Sequence, residues 1–222
     1  MLTDEQIERY SRQIILPHVG GKGQEKLLQA RVLVNGTGPL QQVALLYLTA
    51  VGIGIIGVLA DEASLTNTLL PALQQLNPDC TIVFQDSPET NERKDISQIV
   101  YNYDLVLSLP DTTLHEACYL THRPLLCAQI TAESCWFLTC RGYDAHQPCL
   151  SCITALSLAE TPPTRWNDLA AAFIGTVLAT EAIVQILNLH PSHHSKLFQC
   201  QFPAFHIQEH VIAKNPHCDF CR

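Results

Sequence analysis

The sequence predicts an α/β fold with a doubly wound mixed sheet, parallel in its N-terminal half and antiparallel in its C-terminal half. Three observations predict it. Arg31-Val-Leu-Val-Asn-Gly-Thr-Gly38 runs from an apolar strand through a two-glycine turn towards an apolar helix. That is the opening of a nucleotide-binding, Rossmann-like unit. Strand-like and helix-like runs then alternate to about residue 130, as parallel sheets with helices on both faces require. Beyond that point the strand at 136–141 follows without an intervening long helix, and two C-x-x-C knuckles appear.

Taken in order, residues 3–16 read as an amphipathic helix that Thr3 or Asp4 can cap. Three glycines and a proline make 17–23 a loop, and 24–29 a short helix. Val32–Val34 is the first buried strand and Val43–Val51 the helix after the turn. The β-branched run 52–60 is a second strand, 69–76 a short helix stopped by Asn77-Pro78, and 81–85 a third strand. Helix 95–101, strand 104–109, helix 113–121 and strand 124–128 complete the parallel half. Strand 136–141 then turns antiparallel. Residues 157–168 read as a crossing loop with Pro162-Pro163. Residues 170–189 form an apolar helix, small on several faces, suited to the core or to a second subunit. Runs 196–200 and 204–208 are terminal strands. The whole chain, 1–222, reads as a single domain: an N-terminal arm (1–30), a nucleotide-binding-type half (31–130) and an antiparallel half (131–222).

The composition narrows the function classes. Hydrophobic residues are 47% and charged residues 15% of the 222, enough for a sizeable core. A net charge of −8 and a pI near 5.6 argue against binding nucleic acid, which needs clustered Lys and Arg. No run of about 18 or more apolar residues stands free of polar breaks, so no membrane span is expected, and the charged segment Met1–Arg9 is unlike a secretion signal. A cytoplasmic location is the expectation. Ten cysteines there do not read as a disulfide framework. Six of them (Cys80, Cys118, Cys127, Cys135, Cys140 and Cys200) have apolar neighbours and read as small buried hydrophobes.

The other four differ. Cys149-Leu-Ser-Cys152 and Cys218-Asp-Phe-Cys221 each follow a proline-containing turn. Two residues between thiols let both sulfurs reach one ion at about 2.3 Å. Four cysteines with no open position describe a structural zinc site that ties two distant parts of the chain together. A thiol–disulfide redox pair is the weaker alternative, because neither knuckle opens a helix after a strand.

Arg9-Tyr-Ser-Arg12-Gln-Ile-Ile-Leu-Pro17, Gly20-Gly-Lys-Gly-Gln-Glu-Lys-Leu27, the glycine turn and the two knuckles together resemble the ThiF/MoeB/HesA family of ubiquitin-like-protein activating enzymes. The similarity covers almost the whole chain. The resemblance implies ATP and magnesium as cofactors, adenylation of the C-terminal glycine of a β-grasp protein, a structural zinc and a homodimer or heterodimer. It also implies where the ATP contacts lie, and here the sequence departs. The family's G-x-G-G-L-G is Gly36-Thr-Gly38-Pro39-Leu40-Gln41: Pro39 removes an N–H and Gln41 adds bulk near the phosphates. The family's D-x-D is Leu59-Ala60-Asp61, which puts Leu59 where the ribose-binding acid belongs. The S-N-L-x-R-Q segment keeps Asn67 but loses its arginine. The following loop is deleted, and 69–76 has no lysine. Asp111 matches the magnesium-site aspartate, and equally suits a helix cap. Arg12 matches an arginine that reaches across the dimer, and equally suits a solvated helix.

Losing three charge-assisted contacts, each about 1.5–3 kcal/mol, weakens ATP binding by several orders of magnitude. The leading expectation is therefore a degenerate member with a vestigial nucleotide site (Gly36, Gly38, Asp61, Asp111). It would dimerise, bind a β-grasp protein or an active paralogue, and lend that paralogue Arg12. One rival is an active adenylyltransferase in which Asp61 or Glu62 replaces Leu59 and Lys22 or Lys26 replaces the lost cations. Another is a dinucleotide-dependent oxidoreductase, against which the missing strand-end acid also counts. His190, His193 and His194 read as a polar loop ahead of a metal site.

Overall fold

The computed structural model describes residues 1–60, 69–85, 93–144, 146–153, 166–189 and 195–221. Its centre is one eight-stranded sheet in the order β3-β2-β1-β4-β5-β6-β7-β8. The strands are β1 (Arg31–Asn35), β2 (Ile55–Leu59), β3 (Thr81–Gln85), β4 (Leu105–Ser108), β5 (Leu125–Ile130), β6 (Ser134–Cys140), β7 (Lys196–Gln201) and β8 (His206–Val211). β1 to β5 pair in parallel. β6, β7 and β8 continue the sheet antiparallel, so the mixed sheet is the one expected.

Alternation along the strands makes two cores, one on each face. Val32, Val34, Leu105, Leu107, Leu126 and Ala128 point to one side. They meet α3 (Gly20–Gln29), α4 (Pro39–Val51), α5 (Leu69–Leu76) and α8 (Asn167–Leu187). Leu33, Val106, Leu125 and Cys127 point the other way, to α6 (Arg93–Tyr101) and α7 (Thr112–Thr121). The apolar helix near the C-terminus thus lies in the core, through Ile174, Leu178 and Ala182, against α4. The six cysteines outside the knuckles are all buried.

Several boundaries differ from the sequence expectation. The N-terminal helix is two pieces, α1 (Asp4–Arg9) and α2 (Ser11–Ile14). Thr3 and Gln6 form the capping box that starts α1. The break at Tyr10 has a cause in its side chain, which is fully buried. Its hydroxyl donates to Asp79 Oδ2 at 3.0 Å and accepts from Asn77 Nδ2 at 2.9 Å. Arg9 adds an ion pair to Asp79 at 2.6 Å. Together they tie the arm to the turn after α5. The stretch 17–23 is not wholly a loop: α3 begins at Gly20, and Gly23 lies in the contact with Leu187 of α8. α4 begins at Pro39, four residues before the expected start, because proline suits the first helical position. α8 begins at Asn167, so the crossing loop ends earlier than expected; its residues 157–165 lie outside the described residues.

Candidate functional site

In a doubly wound sheet, ligands bind beyond the C-terminal ends of the strands, where the strand order reverses. Here the reversal falls between β1 and β4, and the Gly36–Gly38 turn occupies it. Gly36 has φ +88°, which a side chain rarely adopts, and its N–H donates to Leu59 O at 3.1 Å. Gly38 is the N-cap of α4.

A helix N-terminus of this kind would receive an anion on its free N–H groups. The turn instead holds a side chain. Gln41, only 5% exposed, folds back and donates from Nε2 to Asn35 O at 3.0 Å. Its amide lies 3.3 Å from where a Cβ on Gly36 would sit, and 3.0 Å from the same point on Gly38. Gln42 donates to Thr37 O at 2.9 Å, and Asn35 to Ser108 Oγ at 3.0 Å. The side chains bonded at the turn, among the described residues, are therefore uncharged amides and a hydroxyl. Leu59, at the end of β2, is buried in the core on the α6–α7 face. Asp111 caps α7, its Oδ1 accepting the Leu114 N–H at 2.9 Å. Arg12 is exposed on α2 and has no hydrogen bond or ion pair to any described residue. Lys26, offered above as a replacement cation, lines a cavity at the opposite end of the strands, and so does not serve this turn. Asp61, Glu62, Asn67, His190, His193 and His194 lie outside the described residues.

The second constellation is the cysteine quartet. Cys149 precedes and Cys152 lies within a short 3-10 turn (Leu150–Ile153) after β6, and Cys218 and Cys221 sit near the C-terminus. All four sulfurs lie within 4.8 Å of one another. Cys149 is 3.8 Å from Cys152 and 3.7 Å from Cys218, and Cys152 is 3.5 Å from Cys221. Tetrahedral thiolates at about 2.3 Å from one ion stand about 3.8 Å apart, so the donor set fits zinc. Burial pushes the Cys149 and Cys221 thiols up. Burial opposes ionisation at Cys218 too, but hydrogen bonds from the backbone N–H groups of Cys221 and Phe220 and from the Cys149 and Cys221 thiols together outweigh it and hold this thiol at about 7. Gly142 makes room for the first knuckle: a Cβ there would stand 2.4 Å from Cys149 Cβ and 2.9 Å from its Cα.

One residue that sequence reasoning missed joins the two knuckles. His115 projects from α7, only 4% exposed. Its Nε2 accepts the N–H of Leu150, inside the first knuckle, at 3.1 Å. Its ring lies 4.4 Å from that of Phe220, inside the second. Burial pushes its pKa down to about 4, so the ring is neutral and its proton sits on Nδ1. A lone histidine on the apolar face of a helix gives no sequence signal of such a role. Tyr119, one turn further on, also meets Phe220 edge-on at 5.0 Å.

A family model for the ThiF family matches residues 10–68 and 66–220. The chain belongs to the ThiF family. Among curated relatives, it is 35% identical over 259 aligned positions, gaps included, to "Adenylyltransferase and sulfurtransferase MOCS3" of Anopheles gambiae, covering 99% of this chain and 56% of that protein. It is 28% identical over 251 positions to "Molybdopterin-synthase adenylyltransferase" of Salmonella typhimurium, covering 99% and 98%. The chain spans about half the length of the MOCS3 relatives it matches. Among solved structures, E. coli MccB with ATP superposes with a TM-score of 0.76 at 16% identity, over 96% of this chain and 74% of that one. That likeness speaks for the ThiF-family fold alone.

Proposed function

We propose that this ThiF-family chain is a non-catalytic or regulatory scaffold that does not turn over ATP. It dimerises, with itself or with an active paralogue, and binds a β-grasp protein. The observation that carries this reading is the Gln41 side chain in the glycine turn, where a phosphate would otherwise meet backbone N–H groups. Leu59 supports it, since an apolar side chain cannot accept hydrogen bonds from ribose hydroxyls. So does the junction of the two family-model segments at residues 66–68, where the sequence has lost the arginine- and lysine-bearing segment. The cysteine quartet holds structural zinc in this reading. With four thiolate ligands the ion supplies cross-linking and no open coordination position. Arg12, exposed and without a partner among the described residues, is available to a neighbouring subunit's site. A cytoplasmic location is part of the proposal and rests on ten free cysteines.

A second reading has support of its own. The relatives matched over almost the whole chain are named adenylyltransferases, and the family resemblance aligns Asp111 with a magnesium-site aspartate. In that reading the chain activates the C-terminal glycine of a β-grasp sulfur carrier, and magnesium ATP supplies the leaving pyrophosphate. Calorimetry of the zinc-loaded protein with magnesium ATP separates the two, together with pyrophosphate exchange in the presence of a β-grasp protein. No heat of binding and no exchange are expected. Micromolar ATP affinity, or ATP-dependent exchange by the isolated chain, overturns the scaffold reading and establishes the second.

A further inference from the structure

The opposite end of the sheet, away from the glycine turn, carries a second group of polar side chains. There the N-terminal ends of β1, β4 and β5 and the C-terminal end of β6 meet the last turns of α3 and α8. A cavity of about 440 Å³ opens between them, lined by Lys26, Asp104, Arg141, Tyr143, Gln185 and Asn188 among others. It is separated from the switch point by the length of the parallel strands, about 15 Å.

Arg141 is held at this cavity by a buried relay. Thr139 Oγ1 and Gln185 Nε2 donate to Glu181 Oε1 at 3.2 and 2.7 Å. Arg141 Nη2 in turn donates to Gln185 Oε1 at 2.8 Å. Thr139, Glu181 and Gln185 are all buried. The guanidinium is thus oriented through one nitrogen, while its buried Nε has no partner. Lys26 has no ion-pair partner among the described residues. In the amide orientation that satisfies both ends of Asn188, that side chain's oxygen lies 3.3 Å from Lys26 Nζ. The carboxylate lining the cavity, Asp104, is engaged elsewhere, its Oδ2 accepting the Arg31 N–H at 2.8 Å. The carbonyls at the end of α8 are likewise used, by the N–H groups of Asn188 and Leu189. Among the described residues, neither of the two cations facing this cavity has a carboxylate partner, in a chain of net charge −8. A guanidinium pre-oriented by a buried network loses little entropy on gripping an oxyanion.

We propose that this cavity is a binding site for a small oxyanion, the carboxylate or phosphate group of a metabolite, held by Arg141 and Lys26. The competing account is that Arg141 only balances the buried Glu181 through Gln185. That account predicts no response to anions. The proposal is independent of whether the glycine turn binds ATP.

The test titrates the full-length, zinc-loaded chain with sodium phosphate and, separately, with sodium succinate, following thermal stability and amide NMR shifts. Sodium chloride at matched ionic strength is the control. Saturable stabilisation above chloride by at least one anion is expected, with shifts centred on residues 141–144 and 185–188. Phosphate alone acting identifies a phosphate ligand, and succinate alone a carboxylate. K26Q, at an exposed position, leaves the fold intact and is expected to weaken binding about tenfold. R141Q is expected to weaken it further. The absence of any effect beyond chloride overturns the proposal. So does an anion response that K26Q and R141Q leave unchanged, because the anion then sits elsewhere.

Discussion

His115→Phe isolates one hydrogen bond at the cysteine quartet. Phenylalanine keeps a ring to stack on Phe220, at present 4.4 Å from the imidazole centroid, but it offers no acceptor to the Leu150 N–H now held at 3.1 Å. Leu150 is itself buried, so no water takes over. A buried donor left without a partner costs about 1–3 kcal/mol. That cost falls on the first knuckle in its metal-ready geometry, so it reappears as zinc affinity, about 5- to 150-fold weaker. Outer-shell partners of metal ligands ordinarily act over the same range. Competition against a chromophoric zinc chelator measures it, with cobalt substitution reporting whether four thiolates still bind. A zinc affinity for H115F within twofold of wild type would show that the knuckles keep their geometry without the imidazole, and would refute the reasoning.

Other outcomes follow from the same contacts. Tyr10→Phe removes the hydroxyl bonded to both Asp79 and Asn77 in a buried site, and is expected to cost about 2–3 kcal/mol in urea unfolding and to speed amide exchange across α1 and α2. Gly142→Ala drives a methyl into Cys149, so its zinc affinity should drop at least tenfold while secondary structure by circular dichroism stays close to wild type. Removing zinc with a strong chelator should raise exchange at the Leu150 and Cys218 amides before it affects β1 or β4, since only the knuckles depend on the ion for their approach.

Much of the sheet was legible because its strands are runs such as Val32–Val34 and Leu105–Leu107, apolar on both faces as buried parallel strands must be. The cysteine quartet was legible too, because C-x-x-C spacing is a geometric constraint that survives a long separation in sequence. Helix boundaries were less so. Three glycines at 20–23 signalled a loop, although Gly23 serves a helix contact. Pro39 reads in the sequence as a missing N–H in a phosphate loop, while in the fold it is the first residue of α4. β8 begins two residues later than the sequence expectation, because its side chains are nearly all exposed and no alternation marks its ends. The Tyr10 break and the His115 contact depend on partners far away in sequence, Asp79 and Leu150, and no local pattern encodes them.

Gln41 in the glycine turn and Leu59 at the end of β2, two departures from the family's nucleotide site, differ in how easily they reverse. Gln41→Gly gives up one hydrogen bond to Asn35 O and places a glycine in the first turn of α4, a loss of about 1–2 kcal/mol. Leu59→Asp is another matter. Leu59 is 4% exposed and packed in the core formed with α6 and α7. The substitution forfeits about 1.5–3 kcal/mol of apolar burial and adds several kcal/mol for a carboxylate without a partner. Against a total stability of about 5–15 kcal/mol, that removes a large share of the margin. Q41G is therefore expected to fold with its glycine turn open and to bind no ATP, because the ribose position stays apolar. L59D is expected to unfold at markedly lower urea than wild type. If L59D instead lies within about 1 kcal/mol of wild type, Leu59 has not been taken into the core, and the case that the ribose position was given over to packing fails with it.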